Sequence, residues 1–131
     1  MNIKPVKTFA LLGSFAAALL IHPAAQAETP YQVDGNKVDK ATFGGWKIYK
    51  RQRCETCHGP SGEGAAAFPN LLNSLKNLDK AAFTEVVLNG RNAMPAFKDN
   101  QAVAGGIDGL YAFLKGRSDG AIPAGELQEM P

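Results

Sequence analysis

Apolar residues are unevenly spread along the chain, and the first group of them is a single run over residues 8–21. Lys4 and Lys7 precede that run, and Ala25-Gln26-Ala27 follows it. A positive start, an apolar stretch and a small-x-small site predict a secretory signal peptide, residues 1–27, cleaved after Ala27. The run holds about 14 residues, short of the ~20 that a membrane-spanning helix needs. No later stretch is apolar enough to span a bilayer, and no cysteine near the cleavage site offers a lipid attachment. The mature chain is therefore expected to have no membrane anchor.

Further on, apolar positions recur at helical spacing. Residues 28–38, with Pro30, Asp34, Gly35 and Asn36, read as an extended or turning arm. Asp39 then suits the N-cap of a helix from Lys40 that carries Phe43, Trp46 and Tyr49 and ends near Arg53. Asp79 suits a second cap, ahead of Phe83, Val86, Val87 and Leu88, with Asn89-Gly90 as the stop signal. Ile107, Leu110, Tyr111 and Leu114 lie at i, i+3, i+4 and i+7, which predicts a third helix over residues 107–115. A short helix is expected over residues 71–78. Gly and Pro mark residues 59–70 as a loop, and residues 91–101 form another around Met94-Pro95. Nothing suggests paired strands or an internal repeat. From Gly116 onward Gly120, Pro123, Gly125 and Pro131 leave little to bury. The expected architecture is all-α, with three main helices and long loops: a domain over residues 39–116, preceded by the arm and followed by a flexible tail, residues 117–131.

Charge narrows the possible partners. Lys4 and Lys7 are two of the 14 basic residues, so the chain from Glu28 onward carries 12 basic and 12 acidic side chains. A near-neutral chain lacks the basic field of a nucleic-acid-binding protein. About 104 residues also make a small domain, and domains of this size often recruit a disulfide, a metal or a cofactor.

Candidate chemistry lies at Cys54-Glu55-Thr56-Cys57-His58, a C-x-x-C-H pattern that signals c-type haem attachment. Two thiols at this spacing can each form a thioether with one porphyrin vinyl group, and the adjacent His58 then lies under the iron as an axial ligand. A thioredoxin-like redox pair would need a βαβ setting, which the pattern of elements does not offer. Zinc would need four ligands, and once His22 leaves with the signal peptide a single histidine remains. An exported pair of cysteines could also close a disulfide, but that leaves the adjacent histidine unexplained.

A sixth ligand should come from a downstream loop. Met130 stands next to last in the Pro/Gly-rich tail, whereas Met94 lies between two expected helices with Pro95 fixing the backbone beside it. A lone methionine is ordinarily packing; with a haem inferred, Met94 becomes the candidate ligand. His/Met coordination leaves the iron no open site, which favours electron transfer over haem catalysis. The expected pocket draws on Phe68, Leu71, Leu72, Leu75, Phe83, Val87, Phe97 and Leu110. Pro69 is either loop punctuation or the carbonyl acceptor for the second ring nitrogen of His58. Lys47, Lys50, Arg51 and Arg53 cluster near the end of the first helix. Cations there suit the helix dipole, and a second reading makes them a patch that steers an acidic partner.

With these residues placed, the chain resembles class I cytochromes c over about residues 31–123. Gly45 and Tyr49 look like that family's N-terminal helix pair, Leu110 and Phe113 like its C-terminal pair. Pro69-Asn70-Leu71 matches its Pro-x-Leu, although Phe68 replaces the usual glycine, and Met94-Pro95 matches its distal Met-Pro. The resemblance implies a cytochrome c fold around one covalently bound haem c, with Pro69 as acceptor for His58. Residues 34–39, 89–91, 94–97 and 117–123 are similar to small periplasmic cytochromes c that accept electrons from PQQ-dependent alcohol dehydrogenases (methanol or ethanol). That implies a periplasmic one-electron carrier rather than an enzyme, handing electrons to another cytochrome or a terminal oxidase. Two rival functions stay open: a gas-binding or sensor haem with an open sixth site, and an electron-relay subunit of a stable dehydrogenase complex with the tail as a docking arm.

Overall fold

The computed structural model describes residues 28–131; the expected signal peptide lies outside them. Six helices and three short strands follow in chain order: β1 Val33–Asp34, β2 Lys37–Val38, α1 Lys40–Arg51, α2 Glu55–His58, α3 Leu71–Ser74, α4 Lys80–Asn89, α5 Gln101–Gly105, α6 Ile107–Ser118 and β3 Gln128–Glu129. The three longest helices, α1, α4 and α6, are those that the spacing of apolar residues predicts.

Local chemistry explains where these helices start. The Asp39 carboxylate accepts the Thr42 N–H (3.0 Å) and the Thr42 hydroxyl (2.6 Å), which caps α1. Asp79 accepts the Ala82 N–H at 2.8 Å and caps α4, and Gly90, at φ +77, ends that helix. Lys50 and Arg51 fill the last turn of α1, where the dipole favours cations. Just beyond it, Arg53 adopts φ +59. Its N–H donates to the Lys50 carbonyl and the Cys54 N–H to the Tyr49 carbonyl, a Schellman closure that usually employs glycine.

Helices α1 and α6 cross through small residues. A Cβ added to Gly45 would run into the Gly109 carbonyl, and one on Gly109 into the Ala41 carbonyl, so the two backbones touch. Beside the crossing Tyr49 packs on Phe113, ring centroids 5.5 Å apart. Tyr49 and Phe113 are fully buried, along with Leu75 and Val103 from the neighbouring segments. No helix among the described residues is long and apolar enough to cross a membrane.

Several features differ from expectation. The arm is a hairpin: β1 pairs antiparallel with β2 around a two-residue turn in which Gly35 takes φ +61. Nor is the tail loose. β3 pairs parallel with β2, and Ile122 and Leu127 are buried, so residues 119–131 lie against the domain. Two apolar side chains among glycines and prolines suffice because Gly116 leaves room for Ile122 above it. A short helix, α5, occupies a stretch without apolar periodicity, and the Asn100 side chain caps it by accepting the Ala102 and Val103 N–H groups. The α-helical part of the 71–78 segment stops at Ser74 and continues as turns to Leu78.

Candidate cofactor site

The cysteine motif folds into one helical turn directly after the Arg53 reversal. The Cys57 and His58 N–H groups both donate to the Cys54 carbonyl, at 3.2 and 2.9 Å. That turn sets Cys54 and Cys57 three residues apart on one side. Neither is in a disulfide, and both are half-buried. Burial, then the nearby Cys57 and Glu55, push the Cys54 thiol up.

His58 is 9% exposed. Its Nδ1 lies 3.1 Å from the Pro69 carbonyl. A carbonyl can only accept, so Nδ1 carries the proton and Nε2 keeps a free lone pair for a metal. Two further contacts hold the turn. Gly59 takes φ +81, and a Cβ there would meet the Gly64 carbonyl at 2.8 Å. The Tyr49 hydroxyl donates to the Gly59 carbonyl at 2.5 Å. Burial, followed by the neighbouring Cys54 and Glu63, pushes that hydroxyl well above the usual tyrosine range, which keeps it a neutral donor.

Cys54 and His58 open onto a cavity lined almost wholly by apolar side chains, the lining expected of a cofactor site. Tyr49 lies beside them. Leu71, Leu75 and Leu78 form one wall, Phe83, Val86 and Val87 of α4 another, and Val103, Leu110 and Leu114 line the rest. Met94 and Phe97 enter from the loop after α4. That loop is fixed by the helix end. The Phe97 and Lys98 N–H groups donate to the Val87 and Leu88 carbonyls (3.2 and 3.0 Å), and Arg91 and Met94 exchange backbone hydrogen bonds. Gly90 is needed there, since a Cβ would sit 2.7 Å from the Met94 carbonyl.

The structure thus brings Cys54, His58 and Met94 to one apolar cavity, with Cys57 in the same turn although not among the lining residues. Leu71, Leu75, Phe83, Val87, Phe97 and Leu110 line it as expected. Phe68 does not: it is 42% exposed, because the turn from Ala65 to Phe68 directs it away from the cavity. Leu72 is also absent from the lining. Sequence reasoning overlooked Tyr49, Leu78, Val86, Val103 and Leu114 as lining residues. Tyr49, Val86 and Leu114 fall at apolar helix positions in the sequence; Val103 carries no periodic signal. The basic cluster is partly committed elsewhere, since Lys50 pairs with Glu55 and the Lys47 ammonium lies 4.6 Å from the Phe43 ring centroid.

Two thiols on one turn, a histidine with one nitrogen occupied and the other free, a methionine and an apolar lining fit haem. They do not fit a bare ion: among the described residues no three of His, Cys, Asp and Glu are arranged so that they could hold one.

Comparison with known proteins agrees. The family model described as cytochrome c oxidase, cbb3-type, subunit III, matches residues 41–114. Cytochrome c-555 of Methylococcus capsulatus is 71% identical over 92 residues, 70% of this chain and 75% of that protein. Cytochrome c-553I of Paracoccus denitrificans is 38% identical over 67% of this chain, which spans only 42% of that longer protein. Among solved structures, the c-type cytochrome XoxG of Methylobacterium extorquens superposes with a TM-score of 0.68 at 33% identity, covering 81% of this chain and 76% of its own.

Proposed function

This chain belongs to the class I c-type cytochromes, and from that premise we propose that it is a periplasmic one-electron carrier whose iron is held axially by His58 and Met94. Haem c, covalently bound, is its cofactor, and the family consists of electron carriers rather than enzymes. We assign the two thioether bonds to Cys54 and Cys57. When bound, the group supplies one iron that cycles between ferric and ferrous.

The observation that carries the ligand assignment is that His58 and Met94, 36 residues apart in sequence, line the same apolar cavity. His58 Nε2 offers a lone pair while Nδ1–H is spent on Pro69. Met94 supplies a soft thioether, which favours the reduced iron and raises the potential. The aliphatic and aromatic walls keep water out. With His58 and Met94 both holding the iron, oxygen or a substrate would find no place on it, and no second histidine stands among the described residues to serve as a general base.

The donor we favour is a quinoprotein (PQQ-type) alcohol dehydrogenase, and the acceptor another cytochrome or a terminal oxidase. Support comes from the similarity at residues 34–39, 89–91, 94–97 and 117–123. The signal-peptide pattern supports a periplasmic location. The reading as a relay subunit with the tail as docking arm loses its main support, because that tail is folded onto β2.

Absorption spectra of the oxidised and reduced holoprotein and of Met94→Ala test the assignment. A low-spin spectrum with a weak near-infrared thioether–iron band is expected in the natural protein. Met94→Ala should lose that band and bind carbon monoxide when reduced. A band indifferent to the substitution would reduce Met94 to packing and leave a ligand-binding haem as the better reading.

A further inference from the structure

The hydrogen bond from His58 to Pro69 is itself held in place, and its support comes from the far end of the chain. Residues 59–72 double back tightly. The Gly64 N–H donates to the His58 carbonyl at 2.7 Å, and the Leu71 N–H to the Gly62 carbonyl at 2.8 Å. A Cβ on Gly64 would meet the Asn70 backbone at 2.9 Å. In so close a fold, a shift at Ser61 must be carried to Pro69.

Consecutive residues at the end of α6 grip this loop at both ends. The Arg117 Nε–H donates to the Ser61 carbonyl at 3.1 Å, and the Ser118 hydroxyl donates to the Leu72 carbonyl at 2.6 Å. Arg117 also reaches the tail, where Nη1–H donates to the Ile122 carbonyl. Ile122 is wholly buried, wedged on Gly116 and near Tyr31, so this second acceptor is a fixed point. The Gly125 N–H adds a long contact to the Ser61 hydroxyl, at 3.4 Å. A guanidinium has several donors in a rigid plane and can serve two carbonyls at a set angle; an ammonium on a flexible stem cannot hold them so.

We propose that Arg117 is a positioning residue for the iron's histidine ligand: by tying Ser61 to the buried tail it holds Pro69 where its carbonyl keeps His58 Nδ1–H engaged. The proposal rests on His58 ligating the iron. An acceptor on the outer nitrogen makes the imidazole a stronger donor to the metal, which favours ferric iron and lowers the potential. Loosening the grip raises the potential. Removing a nearby positive charge acts in the opposite sense, because a cation disfavours the ferric state. The two roles of Arg117 therefore differ in sign.

The test uses the holoprotein with Arg117→Lys and Arg117→Ala, by redox titration and by NMR exchange of the His58 Nδ1 proton in the reduced state. Positioning predicts that Arg117→Lys, which keeps the charge, rises in midpoint potential, and that both variants exchange that proton roughly tenfold faster or more, since local opening governs exchange. The near-infrared band should persist in both. A Lys variant that matches the natural protein in potential and exchange would overturn the proposal, as would a lowered potential in the Ala variant with unchanged exchange. Should Arg117→Ala fail to fold, Arg117→Lys alone decides, because it keeps charge and stem but not the fork. Absence of a low-spin His/Met spectrum in the natural protein would instead remove the ligation reading on which this one stands.

Discussion

Asp39 serves two elements at once. Its carboxylate accepts the Thr42 N–H and hydroxyl at the head of α1 and the Gln32 N–H from the arm, at 2.8 Å. Burial works against its charge, yet the bonds from Thr42, Gln32 and Ala41 outweigh it and hold the carboxyl below its usual value. A carboxyl lowered by folding stabilises the fold above its unfolded pKa, and that contribution fades as pH falls through the folded value. Asp39→Ala should therefore cost about 1 kcal/mol at pH 7, and the gap to the natural protein should begin to narrow below about pH 4 and keep shrinking with further acid. Denaturant titrations of the two holoproteins at pH 7 and pH 3 measure it; a gap equal at both would show that the carboxylate charge is irrelevant. Asp39 was legible because a cap is local: carboxylate, three residues, apolar run. Arg53 was not, since nothing in the side chain of an arginine announces φ +59. Phe68 misled for a related reason, as hydrophobicity alone suggested a cavity wall where the backbone turns outward.

At the scale of elements, the crossing of α1 and α6 is the contact that the most distant parts of the fold depend on. It demands the absence of side chains at Gly45 and Gly109. Gly44, next to it, has open space around its Cα. The two glycines should thus respond oppositely to the same methyl group. Gly44→Ala should stabilise by about 0.5–1 kcal/mol through helix propensity. Gly45→Ala should cost about 3 kcal/mol or more, because the obstacle is backbone and the helices must separate. Thermal melts of both holoproteins give the comparison; a tolerated Gly45→Ala would mean the helices slide apart freely. Helices of ten or more residues carry their own period and could be read from the chain. The three strands could not, being two residues each, too short for an alternation to register. Their pairing joins residues near 37 to residues near 128, a link that no local pattern encodes. The same holds for the grip of Arg117 on Ser61.

For the whole molecule, the cavity divides the fold into a part that stands by itself and a part that does not. α1 and α6 close on each other through Gly45, Gly109, Tyr49 and Phe113. By contrast, α3, α4 and the Met94 loop turn Leu71, Leu75, Phe83, Val87, Met94 and Phe97 toward the cavity. Phe83 also rests on Tyr111, ring centroids 5.4 Å apart, but without haem the apolar volume on the inner side of these residues would go unfilled, at about 24 cal/mol per Å³ in a protein core. The C-x-x-C-H turn shows from sequence that a haem is attached; only the structure shows which segments wall its cavity. A double variant, Cys54→Ala with Cys57→Ala, prepared without haem, should split along this line. In hydrogen exchange the amides of α1 and α6 should keep measurable protection, while those of residues 71–97 exchange at least about tenfold faster than in the holoprotein. It should also bind a dye for exposed apolar surface and lose near-ultraviolet dichroism more than far-ultraviolet. Protection lost evenly from all segments would show that the helix crossing is no more autonomous than the haem-facing wall, and that the haem organises the entire chain.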